Sequence, residues 1–250
     1  MTAPQQQTLF PILGVIKLAN LGGLTEAVLY EVKTLEGAER YVVKSLKAEF
    51  PLMLVAESIC SAVGLELGLP LLQPVNLPIE GELTFATRWI ASERSPWFGP
   101  DLNACGNVGM PPQVGIVPDI LAFDILVANP DRRAPNVIVE RLSDDPLRNW
   151  LWIIDHTHAL AFAGETEQLT EDAYLEMPID KERVKSKALF GPIIERVRGL
   201  SLGFWHDVCS NIPAAWVPDR QQLAEIEKTL AFRGANIEQL IDSAFQGELR

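Results

Sequence analysis

The sequence predicts an α+β fold in two lobes, the first strand-rich and the second mainly helical. Three observations carry this reading. Short β-branched runs separated by glycine turns fill residues 12–90. Glycine and proline then thicken from Ser95 to Pro118, as in a surface loop or linker. Helical apolar spacing prevails from Lys181 onward. The expected lobes are residues 1–92 and 93–250, with a cleft between them of the kind that commonly binds small molecules.

Taken in order, Ile12–Ala19 reads as the first strand and Asn20–Gly23 as a turn. Ala27–Lys33 and Tyr41–Lys44 are strands joined through a hairpin turn at Glu36–Glu39. Leu52, Val55, Ile59, Val63 and Leu67 recur at helical spacing, and Gly68 with Pro70 ends that helix. Leu71–Leu77 and Glu82–Ile90 are two further strands. Val114–Val127 is apolar enough for a buried helix, provided Pro118 sits in its first turn. A loop at 129–136 leads into strand Val137–Glu140, a polar turn at Ser143–Asn149, and strand Leu151–Ile154. Helices are then expected near Asp180–Arg198, Pro218–Arg233 and Asn236–Gln246. No internal repeat or low-complexity segment is present in the sequence.

Composition narrows the function classes. A hydrophobic fraction of 48% supports a real core, and 22% charged residues is ordinary for a soluble protein. The formal net charge of −12 disfavours polyanionic partners over most of the surface, so direct nucleic-acid binding is not expected. A nucleotide carrying bound magnesium stays compatible, because only the field at its own site must be favourable. No apolar run reaches membrane-spanning length, and the start lacks the basic flank and apolar stretch of a signal peptide. Cys60, Cys105 and Cys209 are odd in number and far apart, which points to a reducing cytoplasm rather than a disulfide framework.

The chemistry concentrates in Asn129-Pro-Asp-Arg-Arg-Ala-Pro-Asn136, followed by Asp155 at the end of the apolar strand Leu151-Trp-Ile-Ile154. Phosphoryl transfer needs such a set: one carboxylate to orient the attacking hydroxyl, and an amide with a second carboxylate to hold magnesium. Asp-x-x-x-x-Asn alone is common in polar turns; a following strand that ends in Asp makes the pattern far more specific. Upstream, Lys44 closes a β-branched strand, Glu57 lies on the next helix, and Gly22-Gly23 sits in a turn between two strands. Each has a plainer reading: a solvated lysine, one of several glutamates with Glu49 and Glu66, and a simple hairpin turn. Arg132 and Arg133 could meet a substrate phosphate or form a salt bridge within the lobe. His156 is expected to line the cleft and His158 to be packed or hydrogen-bonded, while Asp144 and Asp145 read as a solvated turn. With His206 the only other histidine, a zinc site is not expected.

In these pieces and their order, over roughly residues 12–160, the chain resembles the HipA-like kinases. These are a bacterial branch of the protein-kinase-like fold that also resembles the phosphatidylinositol kinases. The resemblance implies ATP and Mg²⁺. It implies that Gly22 and Gly23 cover the phosphates, Lys44 contacts them, and Glu57 pairs with Lys44. It makes Asp131 the catalytic aspartate and Asn136 and Asp155 the magnesium ligands. Trp89 and Ile90 fall where a kinase linker meets adenine by backbone hydrogen bonds and apolar packing. The acceptor it implies is a serine or threonine hydroxyl on a protein, with a regulatory protein partner possible. The departures are Asn129 where kinases carry the His of His-Arg-Asp, Asp155-His-Thr in place of Asp-Phe-Gly, a shortened glycine turn and a short helical tail. They leave two alternatives: a pseudokinase that binds nucleotide or serves as an interaction module, and a small-molecule phosphotransferase.

Overall fold

The computed structural model describes residues 11–22, 26–90, 116–132, 136–140, 142, 144, 150–161, 184 and 186–245. Gly23, Arg133, Asp145, Cys105, most of the expected linker and the expected helix start at Asp180 lie outside them.

Five antiparallel strands form the first sheet: β1 (Gly14–Gly22), β2 (Ala27–Thr34), β3 (Gly37–Lys44), β4 (Pro74–Ile79) and β5 (Glu82–Arg88), in the order β1-β2-β3-β5-β4. Strand β1 extends through Asn20–Gly22, which the sequence assigns to a turn, because register shifts after Lys17 and Asn20 keep it paired with β2. Strand β4 begins at Pro74 rather than Leu71. Pro74 and Pro78 cannot donate to a ladder, and β4 accordingly occupies an edge. Glu80 and Gly81 join β4 to β5 with φ of 53° and 86°, the positive pair that a two-residue hairpin of matching twist requires. Alternation sorts the side chains of β3 and β5. Val42 pairs with Thr87 and Lys44 with Phe85, and these four share one lining of a cleft. Tyr41, Val43 and Ala86 pack on the opposite face with Val75, Leu77 and Ile79.

Helix α1 (Met53–Glu66) crosses between β3 and β4. Its apolar spacing suggests one buried face, but every residue from Met53 to Ser61 is buried, so it is enclosed on all sides. It stops in a Schellman turn. Gly68 adopts φ of 72°, the Leu69 N–H reaches the Gly64 carbonyl at 2.8 Å, and the Gly68 N–H reaches Leu65 at 3.0 Å.

Helix α2 (Val117–Leu126) starts three residues later than its apolar run, with Pro118 in the first turn. The hairpin β6 (Val137–Glu140) and β7 (Trp150–Ile153) follows. Among the described residues four helices follow: α3 (Gly191–Arg198), α4 (Leu202–Ser210), α5 (Arg220–Ala235) and α6 (Ile237–Ala244). Two corrections arise here. The expected helix through Asp180–Arg198 is interrupted: a 3₁₀ turn at Lys187–Phe190 gives way to α3, whose first turn holds Pro192, a residue without a backbone donor. Helix α4 falls outside the expected set altogether. Ser201 caps it by accepting the Phe204 N–H at 3.1 Å.

The main core joins α1, Phe85, α2, β6–β7 and α3–α6 in one continuous apolar cluster. Arg233 of α5 donates to the Leu126 and Ile125 carbonyls at 2.9 and 2.6 Å, closing the C-terminal end of α2 that leads into the 129–136 loop.

Candidate active site

Between the sheet and the β6–β7 hairpin lies a cleft of about 520 Å³. Gly22, Lys44, Glu57, Trp89, Ile90, Asp131, Asn136 and Asp155 all line it. Residues far apart in the chain are therefore brought to one cavity, with Val42, Phe85, Ile138 and Ile153 supplying apolar wall.

Lys44 ends β3 with its side chain on the cleft face of the sheet. Its Nζ is paired with Glu57 of α1 and donates to Asp155 Oδ1 at 2.8 Å and Thr157 Oγ1 at 2.9 Å. The two carboxylates differ in access. The Glu57 side chain is 4% exposed, whereas that of Asp155 is 35% exposed, so Asp155 is the one open to a ligand. Burial pulls the Lys44 ammonium down, but Glu57 and Asp155 outweigh it and hold its pKa above the ordinary lysine value. Burial pushes the Glu57 carboxyl up; Lys44 and His156 overcome this and hold it well below the usual carboxylate range. Asp155 is also lowered: burial raises it, and Lys44 wins despite repulsion from Glu57. All three groups are therefore held in their charged forms at neutral pH.

Asp155 sits just beyond β7 with φ of 60°, a left-handed conformation that Asp tolerates better than most residues. Thr157 hydrogen-bonds back to Asp155 Oδ1, at 2.8 Å from its hydroxyl and 3.4 Å from its N–H. The His156 N–H donates to Glu57 Oε1 at 3.1 Å, fixing the segment against α1.

Asp131 and Asn136 are held by a buried polar knot centred on Asp124 of α2, which is fully buried. Arg132 donates to Asp124 from Nε and Nη2, both at 3.0 Å, a two-pronged ion pair. The same guanidinium reaches the Asn136 carbonyl at 3.1 Å, the Ile154 carbonyl at 2.9 Å and His156 Nε2 at 2.9 Å. Asn129 donates to Asp124 at 2.8 Å and accepts the Asp131 N–H at 3.2 Å. Arg132 is thus internal wiring and not a phosphate contact, which settles the choice the sequence left open. Asn136 Nδ2 donates to the Asp131 carbonyl at 2.5 Å and to Asp131 Oδ2 at 3.3 Å. That donation turns the Asn136 Oδ1 atom to the role of acceptor.

The donor set fits magnesium. Asn136 and Asp155 offer hard oxygen atoms in one cleft, and Mg²⁺ is usually held by one or two such groups together with substrate phosphates. Among the described residues no cluster of three or more His, Cys, Asp or Glu side chains could cage a metal alone. The Trp89 N–H already donates to the Arg40 carbonyl at 2.7 Å, extending the β3–β5 pairing, so it is not a donor to an adenine ring.

Sequence reasoning missed Thr157 as a member of the Lys44 cluster and Asp124 as the anchor of the loop. The signal for Asp124 was a carboxylate in a helix whose other residues past the first turn are all apolar, a group that must find a buried partner. Thr157 offered only its place two residues after Asp155.

A family model described as HipA-like kinase matches residues 23–248. No curated protein matches the chain. Among solved structures, a Helicobacter pylori proinflammatory kinase, CtkA, aligns with a TM-score of 0.53 at 12% identity, covering 96% of this chain and 98% of that one. A double mutant of the Mycobacterium tuberculosis PknI kinase domain aligns with a TM-score of 0.35 at 14% identity, covering 95% and 97%. The likeness to CtkA shows that the fold is that of a protein kinase, with a strand-rich N-terminal sheet and a helical C-terminal part.

Proposed function

Because the chain belongs to the HipA-like kinase family, we propose that it transfers the terminal phosphoryl group of ATP to a serine or threonine hydroxyl of a protein. The observation that carries this reading is the convergence of Lys44, Asp131, Asn136 and Asp155 on one cleft. In this reading the lobes divide near residue 92 and the chain works in the cytoplasm. Among the described residues no helix is long and apolar enough to cross a membrane.

Each side chain has a part. Asp131 accepts a hydrogen bond from the acceptor hydroxyl and takes its proton as the oxygen attacks the terminal phosphorus and ADP leaves. Asn136 holds the Asp131 carboxylate through Nδ2 and would offer Oδ1 to the metal. Asp155, whose side chain is 35% exposed, would be the second residue to hold the metal. Lys44, kept protonated by Glu57, meets the α- and β-phosphates. Gly22 and Gly23 bring backbone close to those phosphates, and the apolar wall with the Trp89 carbonyl and the Ile90 backbone takes the base. Bound magnesium supplies neutralisation of charge across the phosphates.

The test is incubation of pure protein with γ-labelled ATP and Mg²⁺, then with protein and small alcohol acceptors. Label should transfer to protein, and Asp131→Asn should lower the rate at least about 100-fold while nucleotide affinity holds. Tight nucleotide binding without turnover would assign the chain to the interaction modules instead. Transfer to small alcohols alone would remove the protein acceptor.

A further inference from the structure

We propose that Thr157 is a positioning residue for the metal-facing carboxylate of Asp155, its hydroxyl switching its one donated hydrogen bond from Asp155 to Glu57 as Asp155 leaves Lys44 for a divalent cation. The inference rests on the reading of Asp155 as a metal ligand.

The argument is one of hydrogen-bond capacity. Thr157 Oγ1 lies 2.9 Å from Lys44 Nζ, 2.8 Å from Asp155 Oδ1 and 3.1 Å from Glu57 Oε1. An ammonium can only donate, so Lys44 gives a proton to the hydroxyl oxygen. The hydroxyl has a single proton of its own and two carboxylate acceptors within reach. It serves one at a time.

The two acceptors are not equivalent. Glu57 is enclosed and also takes the His156 N–H at 3.1 Å, so it stays in place. Asp155 opens to the cleft and can turn. With Asp155 on Lys44, the hydroxyl donates to Asp155 and sets the plane of its carboxylate. Once Asp155 engages a cation, the hydroxyl donates to Glu57 instead. Lys44 keeps both Glu57 and Thr157 as acceptors, and its third N–H, given up by Asp155, is the one that turns to the phosphates. The Asp-Phe-Gly of ordinary kinases has glycine at this place, which would bring a backbone N–H but no hydroxyl; here the corresponding N–H reaches Asp155 only at 3.4 Å.

Binding of Mn²⁺ tests this without turnover. Free Mn²⁺ is counted by electron paramagnetic resonance in the presence of a non-hydrolysable ATP analogue, and analogue affinity is measured separately without divalent cation. Thr157→Val and Thr157→Ala should weaken Mn²⁺ binding by about 10–100-fold, the usual cost of losing a partner that orients a metal ligand. Metal-free analogue affinity should change little. Thr157→Ser should bind Mn²⁺ as the parent does. Asp155→Asn, the control, should lose Mn²⁺ outright. If the parent protein binds no Mn²⁺ beside the analogue, or Asp155→Asn binds it normally, the functional reading falls and this inference with it. If both behave as expected while either Thr157→Val or Thr157→Ala binds Mn²⁺ like the parent, or Thr157→Ser loses as much as they do, the role of Thr157 alone is overturned.

Discussion

Glu57 decides the electrostatics of the cleft. It is 3% exposed and takes Lys44, the His156 N–H and the Thr157 hydroxyl, so removing its charge leaves the buried ammonium with Asp155 alone as counter-charge. Glu57→Gln should destabilise the fold by about 3 kcal/mol, at the lower end for breaking a buried pair because Asp155 still faces Lys44; urea unfolding measures it. The pH dependence has a definite sign. The folded pKa of Glu57 lies below its unfolded value of about 4.3, so its contribution is full above that pH and is lost as pH falls towards the folded value. Lys44 is raised, so its contribution is full below about pH 10.4 and is lost as pH rises through the folded value. Thermal melts should therefore show the gap between parent and Glu57→Gln closing as pH drops below about 4. A constant gap across that range would remove Glu57 from the acid limb. At this scale the sequence is only partly legible. The Asp131–Asn136 spacing and Asp155 could be read because chain order constrains them. Glu57 could not be separated from Glu49 and Glu66, since only enclosure by the surrounding core distinguishes the three. Arg132 could not be assigned because its partner, Asp124, precedes the loop on a helix, and nothing local marks the pairing.

Elements were legible where local chemistry and tertiary demand agree. Strands β2 and β3 stand out by β-branched residues between glycine turns, and α1 by spacing and by a Gly–Leu–Pro stop. Helix α4 was not legible because its buried apolar residues, Phe204–Trp205 and Val208–Cys209, stand at helical spacing but span less than two turns. The cap was the better signal: Ser201 sits in extended conformation before the helix and binds the Phe204 N–H. Ser201→Ala should cost about 1 kcal/mol, the usual loss for an N-cap, and lower the melting temperature by about 2–4 °C in a chain of this size. Activity should be untouched, because none of the α4 residues lines the cleft. No shift in melting temperature would mean that packing of Phe204 and Trp205 alone fixes where α4 begins.

On the scale of the whole molecule, the two parts are bolted together rather than merely adjacent. Helix α1 belongs by sequence to the strand-rich part, yet it packs into the same apolar cluster as α2 and α3–α6. Arg196 of α3 reaches back to the Leu67 carbonyl at the end of α1 and to Asp119 of α2. The β7 backbone joins in, with the Ile153 N–H on the Pro70 carbonyl at 2.9 Å. Trp216, only 1% exposed, completes the brace by donating Nε1–H to the Leu83 carbonyl of β5 at 2.8 Å. This last contact ties the helical tail to the strand that carries Phe85 and Thr87 into the cleft. Trp216→Phe keeps an aromatic ring in the core but removes the donor. The bond is only partly buried, so the loss should sit near 1 kcal/mol rather than at the top of the range for a stranded buried group. The consequence should be spatially selective. With the brace gone, hydrogen exchange should quicken in β4 and β5, whose outer pairing depends on it, more than in β1 and β2 on the other side of the sheet. Nucleotide affinity should fall with it, since Phe85 and Thr87 form cleft wall on the loosened strand. Uniform exchange changes across all five strands, or unchanged exchange in β5, would show that the apolar cluster alone sets the relation of sheet to helices.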